Sequence, residues 1–381
     1  MILAGNWLTH PGTQGLCKAL ELAEYRALFV GGCVRNAILG VPVADIDLAT
    51  DATPDVVTQI AESAGFKVVP TGIDHGTVTV VAKGLPHEVT TFRRDVETDG
   101  RRAVVAFSTR IEEDAARRDL TMNALYADAT GKVIDPLDGL ADTLARRVRF
   151  VGDPEIRIRE DYLRILRFFR FHAAYGDPEN GLDAEGLAAC AALSDGLTAV
   201  SPERIGAEMR KLLATTDPAP AVAAMAAAGV LALILPGADP VALAPLVHLE
   251  RALAPDWLRR LVVLGGTSVE EGLRLSRNEA RSLNALQTAI SGIEAPAALG
   301  WRLGADLGRD AVLARAAMLE QPLPEVWEAD VLRGAGAGFP VKAADLMPEL
   351  SGEALGAKLK ALEYRWLESG LQLDREALLR S

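Results

Sequence analysis

The chain of 381 residues is poor in the residues that cross-link proteins or bind soft metals, with three cysteines and five histidines. Cys17, Cys33 and Cys190 form no CxxC pair and no cysteine–histidine cluster, so neither a disulfide framework nor a zinc site is predicted. The sequence also lacks a secretory leader and any apolar run long enough to cross a bilayer. We therefore expect a cytoplasmic protein with no membrane partner.

An excess of positive charge is missing as well. The formal net charge is −12, which argues mildly against a nucleic-acid partner. The charge is uneven, however, because residues 143–170 are rich in arginine. Such a segment is either a solvated helix face with ion pairs along it or a surface for phosphates. The composition alone leaves both readings open.

The pattern of apolar residues changes near residue 150. Before that point, short apolar strands alternate with helices, which indicates one domain built on a mixed sheet. After residue 152 the strand signals vanish and helical periodicity continues to the end. The predicted strands cover residues 28–30, 45–48, 67–69, 77–82, 88–92 and 103–107. A chain of this length is expected to hold more than one domain.

Two carboxylates stand two residues apart in Asp45-Ile46-Asp47. Strand side chains alternate between faces, so Asp45 and Asp47 should point the same way and Ile46 the other. Two neighbouring carboxylates repel each other when buried, and a divalent cation such as Mg²⁺ relieves that repulsion. The pair therefore suggests metal-assisted phosphoryl or nucleotidyl transfer. A pair of solvated turn residues is the alternative.

A glycine turn precedes this pair. Gly31 and Gly32 follow an apolar strand and open a predicted helix over residues 34–39. Glycine allows a tight turn, and the amides at a helix N-terminus favour an anion. Arg35 adds a guanidinium suited to phosphate oxygens. An ordinary strand–turn–helix connection would look similar.

Seven segments carry a wider pattern, and they occur in the following order: GGCVRNAILG (31–40), DIDLAT (45–50), DHGTVTVV (74–81), EVTTFRRD (88–95), RRDLTMNALYAD (117–128), DPLDGLADTLARRVRFVGDP (135–154) and REDYLRILRFFRF (159–171). Together they closely resemble the bacterial class II tRNA nucleotidyltransferases, or CCA-adding enzymes, and their sister poly(A) polymerases. The resemblance is strong over residues 25–215 and loose beyond them.

The resemblance implies an α+β fold. An N-terminal nucleotidyltransferase head with a mixed, polymerase-β-like sheet would be followed by an all-helical neck, body and tail. The corresponding boundaries are a helical segment at 1–26, the head at 27–150, a base-recognising neck at 151–215, and a tRNA-binding body and tail at 216–381. The sequence has no His-Asp dipeptide, so the HD-type phosphohydrolase domain that some relatives carry is not expected.

The resemblance also extends the metal and phosphate sites. Glu88 matches the position where the family carries a third acid on a neighbouring strand, so Asp45, Asp47 and Glu88 become the expected catalytic acids. Gly31, Gly32 and Arg35 become the expected ligands of the triphosphate. The family commonly has aspartate where this chain has Asn36, which puts in doubt any role of that carboxylate beyond structure.

Arg118, Asp119 and Asn123 hold the ribose in the reading that the resemblance implies. The segment around them is predicted to begin a helix, which would place Asp119 and Asn123 on one face. Contact with the 2′-hydroxyl is how a protein tells ribonucleotides from deoxyribonucleotides. A helix-capping role would also explain Asp119.

Residues 157–169 are predicted to form one helix with an apolar stripe at 162, 165, 166 and 169. Asp161, Arg164 and Arg167 fall on another face. The resemblance assigns Asp161 and Arg164 to reading the incoming base, whereas an i,i+3 surface ion pair is the alternative. Residues 93–107 are predicted to form a mobile loop, which by resemblance takes part in the change from C to A addition.

The function expected from all of this is template-independent addition or repair of the CCA end of tRNA, using CTP, ATP and Mg²⁺ and releasing pyrophosphate. Poly(A) polymerase is the sister alternative because it shares every motif. A small-molecule nucleotidyltransferase is disfavoured by the long helical C-terminal half and the 159–164 motif. A non-catalytic RNA-binding module is disfavoured because Asp45, Asp47 and Glu88 are all present.

Overall fold

The structure is a computed structural model, and it describes every residue except 74, 75, 100, 101, 252 and 381. The side chains of residues 71, 95–99 and 102–105 are also outside the described part. The chain divides into two compact units. Unit 1 comprises residues 1–200 and 228–230, and unit 2 comprises residues 201–227 and 231–381. The predicted division into head, neck, body and tail remains a prediction.

Unit 1 contains a mixed sheet with the strand order β3-β4-β5-β2-β1-β8-β9. Strand β2 pairs in parallel with β5, while β1 lies antiparallel to both β2 and β8. The described strands are β1 Leu28–Val30, β2 Asp47–Thr50, β3 Lys67–Gly72, β4 Thr77–Ala82, β5 Leu85–Thr91, β6 Arg93–Asp99, β7 Arg102–Phe107, β8 Tyr126–Ala127 and β9 Val133–Ile134. The mixed sheet confirms the predicted α+β class, although β2 begins at Asp47 rather than at residue 45.

One face of this sheet is covered by helices that bury leucines and valines against it. Leu16 and Leu20 of α2, Phe29 of β1 and Leu48 of β2 are completely buried in this core. The described helices of unit 1 are α1 Asn6–Thr9, α2 Pro11–Leu22, α3 Gly32–Leu39, α4 Pro54–Ser63, α5 Ile111–Ala116, α6 Gly139–Leu144, α7 Pro154–Glu160, α8 Leu163–Tyr175 and α9 Ala184–Ala192, with 3₁₀ turns at Thr121–Asn123 and Ser194–Ala199. The helix expected at 34–39 is therefore present.

The predicted loop at residues 93–107 is wrong in its secondary structure. Strands β6 and β7 pair antiparallel and form a separate two-stranded sheet. The period-2 alternation of this segment is weak because charged residues interrupt it, and so the sequence pattern did not predict β6. Gly100 and Arg101 lie outside the described residues.

Two predicted helices are also interrupted. The helix expected over 157–169 is two helices, because Asp161 is extended (φ −157°, ψ 104°) between α7 and α8. The helix expected at Asp119–Asn123 is a single 3₁₀ turn that follows an extended Leu120. At each break an aspartate accepts from a backbone amide close by in the sequence, Asp119 from Leu120 and Asp161 from Leu163. Arg164 also donates to the carbonyl of Arg117 in another segment.

The described elements of unit 2 are helices, apart from an isolated β-bridge between Ala238 and Gly265. No described helix in either unit has the length and hydropathy of a membrane span. The alanine-rich stretch at 219–235 forms two helices that are separated at Gly229, which has φ +74°. The described helices are α10 Pro202–Leu213, α11 Ala219–Ala227, α12 Val230–Ile234, α13 Leu243–Glu250, α14 Trp257–Leu264, α15 Val269–Gly272, α16 Arg277–Ser291, α17 Pro296–Met318, α18 Trp327–Ala335, α19 Gly352–Glu368 and α20 Arg375–Leu379, with a 3₁₀ turn at Ala343–Leu346. Val230 at the start of α12 is counted with unit 1.

A buried ionic cluster lies inside unit 2. Glu250 accepts hydrogen bonds from Arg259 Nε (2.7 Å) and from Arg260 Nη2 (2.7 Å), and all three residues are nearly inaccessible to solvent. Arg259 also donates to Asp310 at 2.6 Å. Arg260 donates to the carbonyl of Leu213 at 2.7 Å, where α10 ends. One carboxylate thus compensates two buried guanidinium groups.

Candidate active site

The predicted acids lie together at the start of β2 and on its parallel neighbour. Asp47 is in register with Glu88 of β5, so their side chains project from the same face of the sheet. Asp45 precedes the strand and is exposed, while Ile46 and Leu48 are buried on the opposite face. The predicted alternation is therefore confirmed for Ile46, Asp47 and Leu48, while a shared direction of Asp45 and Asp47 stays a prediction.

Burial and the neighbouring charges change the pKa of Asp47. Burial, the Glu88 carboxylate and the Asp45 carboxylate together raise the pKa of Asp47 to about 6, although Arg118 and Arg35 act in the opposite direction. A carboxylate held in this way is unfavourable without a cation beside it. No group of three or more His, Cys, Asp or Glu residues in the described part of the chain is close enough to form a complete metal cage. That these acids hold a metal therefore remains a prediction.

The glycine turn joins β1 to α3 directly beside these acids. Gly31 has φ +69°, which favours glycine, and its amide donates to the carbonyl of Leu125 at 3.1 Å. Gly32 is the first residue of α3. Of the two predicted phosphate-binding glycines, Gly32 is the one at the helix N-terminus, where unpaired amides favour an anion.

Arg35 does not extend from this turn toward solvent. It is buried, and its guanidinium donates to the Asn123 side-chain oxygen, the Asn36 side-chain oxygen and the Tyr175 hydroxyl. Asn36 in turn donates to the carbonyl of Pro42 at 2.9 Å. The Arg35 guanidinium, which is predicted to bind the triphosphate, is therefore directed into the protein.

Asp119 is the centre of a second set of contacts. Its Oδ1 accepts from the Asn123 amide (2.9 Å) and from the Leu120 backbone amide (2.8 Å), and its Oδ2 accepts from Arg167 Nε (2.6 Å). Burial raises the pKa of Asp119, but Arg167 and the two amides outweigh burial and hold that pKa below the usual range. The structure thus brings Asp119, Asn123 and Arg167 together, although not on a helix.

Arg118 is held by two residues that the sequence analysis did not identify. Its Nη2 donates to Asp114 at 2.9 Å and its Nε to the Tyr126 hydroxyl at 3.1 Å. Burial opposes the charge of Arg118, but Asp114 and Tyr126 outweigh it and raise the pKa of Arg118. The i,i+4 spacing of Asp114 and Arg118 was the available signal. The contact with Tyr126 had no local signal because β8 follows an irregular segment.

Asp161 and Arg164 lie at the junction between α7 and α8. Arg164 Nη1 donates to Glu160 and to the carbonyl of Arg157 (2.9 Å), and its Nη2 donates to the carbonyl of Arg117 (3.2 Å). In the described part of the chain, no acceptor meets its Nε–H or the second hydrogen on Nη2. Asp161 is half-buried, and its Oδ1 accepts from the Leu163 amide at 3.2 Å.

Fold and site together define a class of protein. Unit 1 has a short strand, a glycine turn and a helix, followed by an acidic strand that pairs with a parallel neighbour. This arrangement is typical of the head of the polymerase-β-like nucleotidyltransferases. Residues 27–149 match the family model described as "Poly A polymerase head domain". Residues 181–241 match the model described as "Probable RNA and SrmB- binding site of polymerase A". Over these two ranges the chain therefore resembles the family of CCA-adding enzymes and poly(A) polymerases.

Curated relatives agree over the first half of the chain. It is 44% identical over 191 residues to the CCA-adding enzyme of Bacillus pumilus, which covers 50% of this chain and 46% of that protein. It is 42% identical over 205 residues to the mitochondrial CCA tRNA nucleotidyltransferase 1 of Mus musculus, covering 53% and 47%. The chain thus spans about half the length of the curated relatives that it matches.

Solved structures extend the likeness to the whole chain. The Bacillus stearothermophilus CCA-adding enzyme in complex with CTP matches with a TM-score of 0.71 and 29% identity, over 94% of this chain and 92% of the other. The Thermotoga maritima CCA-adding enzyme complexed with tRNA_CCA matches with a TM-score of 0.71 at 18% identity, over 100% and 98%. The second likeness concerns the fold alone.

Proposed function

We propose that this protein adds or repairs the 3′-terminal CCA of tRNA in the cytoplasm, using CTP and ATP and releasing pyrophosphate. The observation that carries the proposal is the register of Asp47 with Glu88 beside the glycine turn, within a head that matches the family. The relatives named for CCA addition and the structural neighbour in complex with CTP support the choice of reaction and nucleotide.

The acids suit Mg²⁺, because this ion is usually bound by one or two carboxylates together with substrate phosphates and water rather than by a complete protein cage. Asp47 and Glu88 supply two carboxylates in register, and Asp45 stands at the entry to the same strand. Burial and the neighbouring carboxylates raise the pKa of Asp47, and a cation bound beside them would favour its charged form. When bound, the metal would activate the RNA 3′-hydroxyl and neutralise charge on the triphosphate.

The remaining residues would hold the nucleotide. Gly32, at the start of α3, would face the triphosphate, with Gly31 setting the turn. Asp119 and Asn123 would contact the ribose, with Arg118 and Arg167 anchored around them. Arg35 contributes to this set through Asn123. Residues 151–215 would serve as the base-reading neck, and residues 216–381 as the RNA-binding body and tail, which the match at 181–241 supports.

The base would be read by Asp161 and Arg164. Cytosine and adenine both present an amino donor beside a ring-nitrogen acceptor, whereas uracil and guanine present a carbonyl beside an N–H. A carboxylate next to a guanidinium therefore fits C and A and opposes U and G. The two N–H groups of Arg164 that have no acceptor in the described structure are available for this contact.

The reaction itself is tested with tRNA transcripts that lack the terminal CCA. The protein is given CTP, ATP or both with Mg²⁺, and the products are sized on a sequencing gel. We expect two residues to be added with CTP alone and three with both nucleotides. A long ladder of A would identify a poly(A) polymerase, and no extension under any condition would contradict the proposal.

Asp161→Ala is expected to relax base selection more than it slows addition. Loss of one desolvated contact should lower the discrimination against UTP and GTP by roughly 10- to 100-fold. Incorporation of all four nucleotides is measured for this variant and for Asp195→Ala, an exposed aspartate of the same unit, as control. If the preference for C and A survives while the rate falls, the base is read elsewhere.

A further inference from the structure

A glycine of unit 1 lies in very close contact with an aromatic ring. Gly196 belongs to the 3₁₀ turn Ser194–Ala199, and the ring of Tyr162 lies directly over its backbone. A Cβ atom on Gly196 would overlap with Cδ1 and Cε1 of that ring. Gly196 does not have a positive φ, so the contact with the ring, rather than the backbone conformation, requires glycine here. Leu197, the next residue, is buried and anchors the turn.

Tyr162 stands at the break between α7 and α8. It directly precedes the first residue of α8, with φ −60° and ψ −19°, and it follows the extended Asp161. The amide of Ile165 donates to the carbonyl of Tyr162 at 3.1 Å, and the amide of Arg164 donates to the carbonyl of Asp161 at 3.0 Å. The first turn of α8 therefore starts from residues 161 and 162. Because the ring of Tyr162 rests on the 3₁₀ turn, its position limits how this first turn can rotate.

The carboxylate of Asp161 is tied to the backbone on both sides of Tyr162. Its Oδ1 accepts from the amide of Leu163 at 3.2 Å, and Asp161 itself precedes Tyr162. A displacement of Tyr162 would therefore displace this carboxylate. The guanidinium of Arg164 bonds in addition to the carbonyl of Arg117, which lies outside the junction. A shift of the junction would thus change the separation between the Asp161 carboxylate and the Arg164 guanidinium.

We infer that Gly196 and Tyr162 are positioning residues for base selection. Gly196 leaves room for the ring, the ring holds the first turn of α8, and that turn sets the Asp161 carboxylate in its place beside Arg164. Neither Gly196 nor Tyr162 needs to touch the nucleotide in order to act in this way. This inference rests on the proposed function, because it assigns a support to the two residues that we propose to read the base.

Gly196→Ala tests the inference through base selection. The added methyl group should displace the Tyr162 ring, and the ratio of kcat/KM for CTP to kcat/KM for UTP should fall about threefold to tenfold. The ratio of the Kd values for UTP and CTP, measured without RNA, should fall in the same way. The matched control is Gly186→Ala, which adds a Cβ atom 2.8 Å from Cε2 of Phe168, another ring on α8. That variant should change either ratio by less than about twofold.

Two variants of Tyr162 decide the question even if Gly196→Ala does not fold. Tyr162→Ala removes the ring and should lower the CTP/UTP ratio, whereas Tyr162→Phe keeps the ring and should preserve the ratio. In the Tyr162→Ala background, Gly196→Ala should have no further effect on the ratio, because the overlap is gone. An unchanged ratio in Tyr162→Ala, or an equal fall in Gly186→Ala, would overturn the inference.

Asp161→Ala separates a failure of the inference from a failure of the proposed function. If Asp161→Ala loses the preference for C and A while Tyr162→Ala keeps it, the inference fails alone. If Asp161→Ala keeps the preference as well, the proposed base reading fails and the inference fails with it. The same holds if the unaltered protein adds no nucleotide to tRNA.

Discussion

Replacing Asp47 with asparagine should abolish nucleotide addition and should also make the protein more stable at neutral pH. The carboxylate is needed to hold the metal, so turnover should fall on the order of a thousandfold. The stability effect has the opposite sign because burial, together with repulsion from Glu88 and Asp45, disfavours the charged form of Asp47. Asparagine removes that repulsion and leaves the side-chain shape nearly unchanged.

The sign of the pH dependence follows from the raised pKa of about 6, compared with an ordinary value of 3.8. Below the ordinary value the carboxylate is neutral in both folded and unfolded chains, and it costs nothing. As pH rises through 4 to 6, the unfolded chain ionises more readily, and the folded state loses stability. Asp47→Asn should therefore gain about 1–3 kcal/mol at pH 7.5 and almost nothing near pH 4.

Urea unfolding at both pH values, in the presence of a chelator, measures this gain. Asp55→Asn is the matched control, because Asp55 is an exposed carboxylate in the first turn of α4 and should change stability by a few tenths of a kcal/mol at most. Adding Mg²⁺ with CTP should then stabilise the unaltered protein and leave Asp47→Asn unaffected. Near-normal turnover of the variant in Mg²⁺ would refute the metal assignment.

The largest loss of stability is expected from Glu250→Ala. This change leaves Arg259 and Arg260 buried without the carboxylate that each of them contacts. Removing one partner of a buried ion pair typically costs about 3–5 kcal/mol, because the remaining charge is desolvated and unpaired. Asp310 still contacts Arg259, but Arg260 keeps only backbone carbonyls.

Glu376→Ala provides the comparison, because it breaks the exposed pair with Arg380, whose side chain is 78% exposed. That pair should contribute less than about 0.5 kcal/mol. Thermal unfolding and hydrogen exchange in unit 2 are measured for both variants, and they give the difference in stability between the two. Equal and small effects would mean that water reaches the Glu250 cluster and that the cluster adds little stability.

The placement of Asp47 beside buried neighbours was predictable because its signals are local. Alternation along Asp45-Ile46-Asp47 fixes which side chains share a face, and the structure confirms that alternation through the burial of Ile46 and Leu48. The place of Glu88 required the resemblance, since pairing between β2 and β5 joins residues that are about forty positions apart. No local rule specifies such a pairing.

The parts that were not predicted depend on long-range contacts. Asp161 interrupts the expected helix, and Arg164 beyond the break bonds to the carbonyl of Arg117, far away in the sequence. Tyr175 holds Arg35 across 140 positions. Helical periodicity describes one element at a time, so it cannot show where bonds to another segment replace the helix. The same reason explains why the contact of Arg35 with Asn123 was not predicted.

The bonds from arginines to backbone carbonyls have a consequence for how this chain tolerates substitution. Arg157 donates to the carbonyl of Ala116 at 2.9 Å, and Arg164 donates to the carbonyl of Arg117 at 3.2 Å. Every amino acid supplies a carbonyl, so these two contacts place no demand on which residue occupies positions 116 and 117. They place a strict demand on positions 157 and 164, where lysine lacks the planar fork. In a library of variants, the donor positions should therefore be constrained by these contacts while the acceptor positions are not.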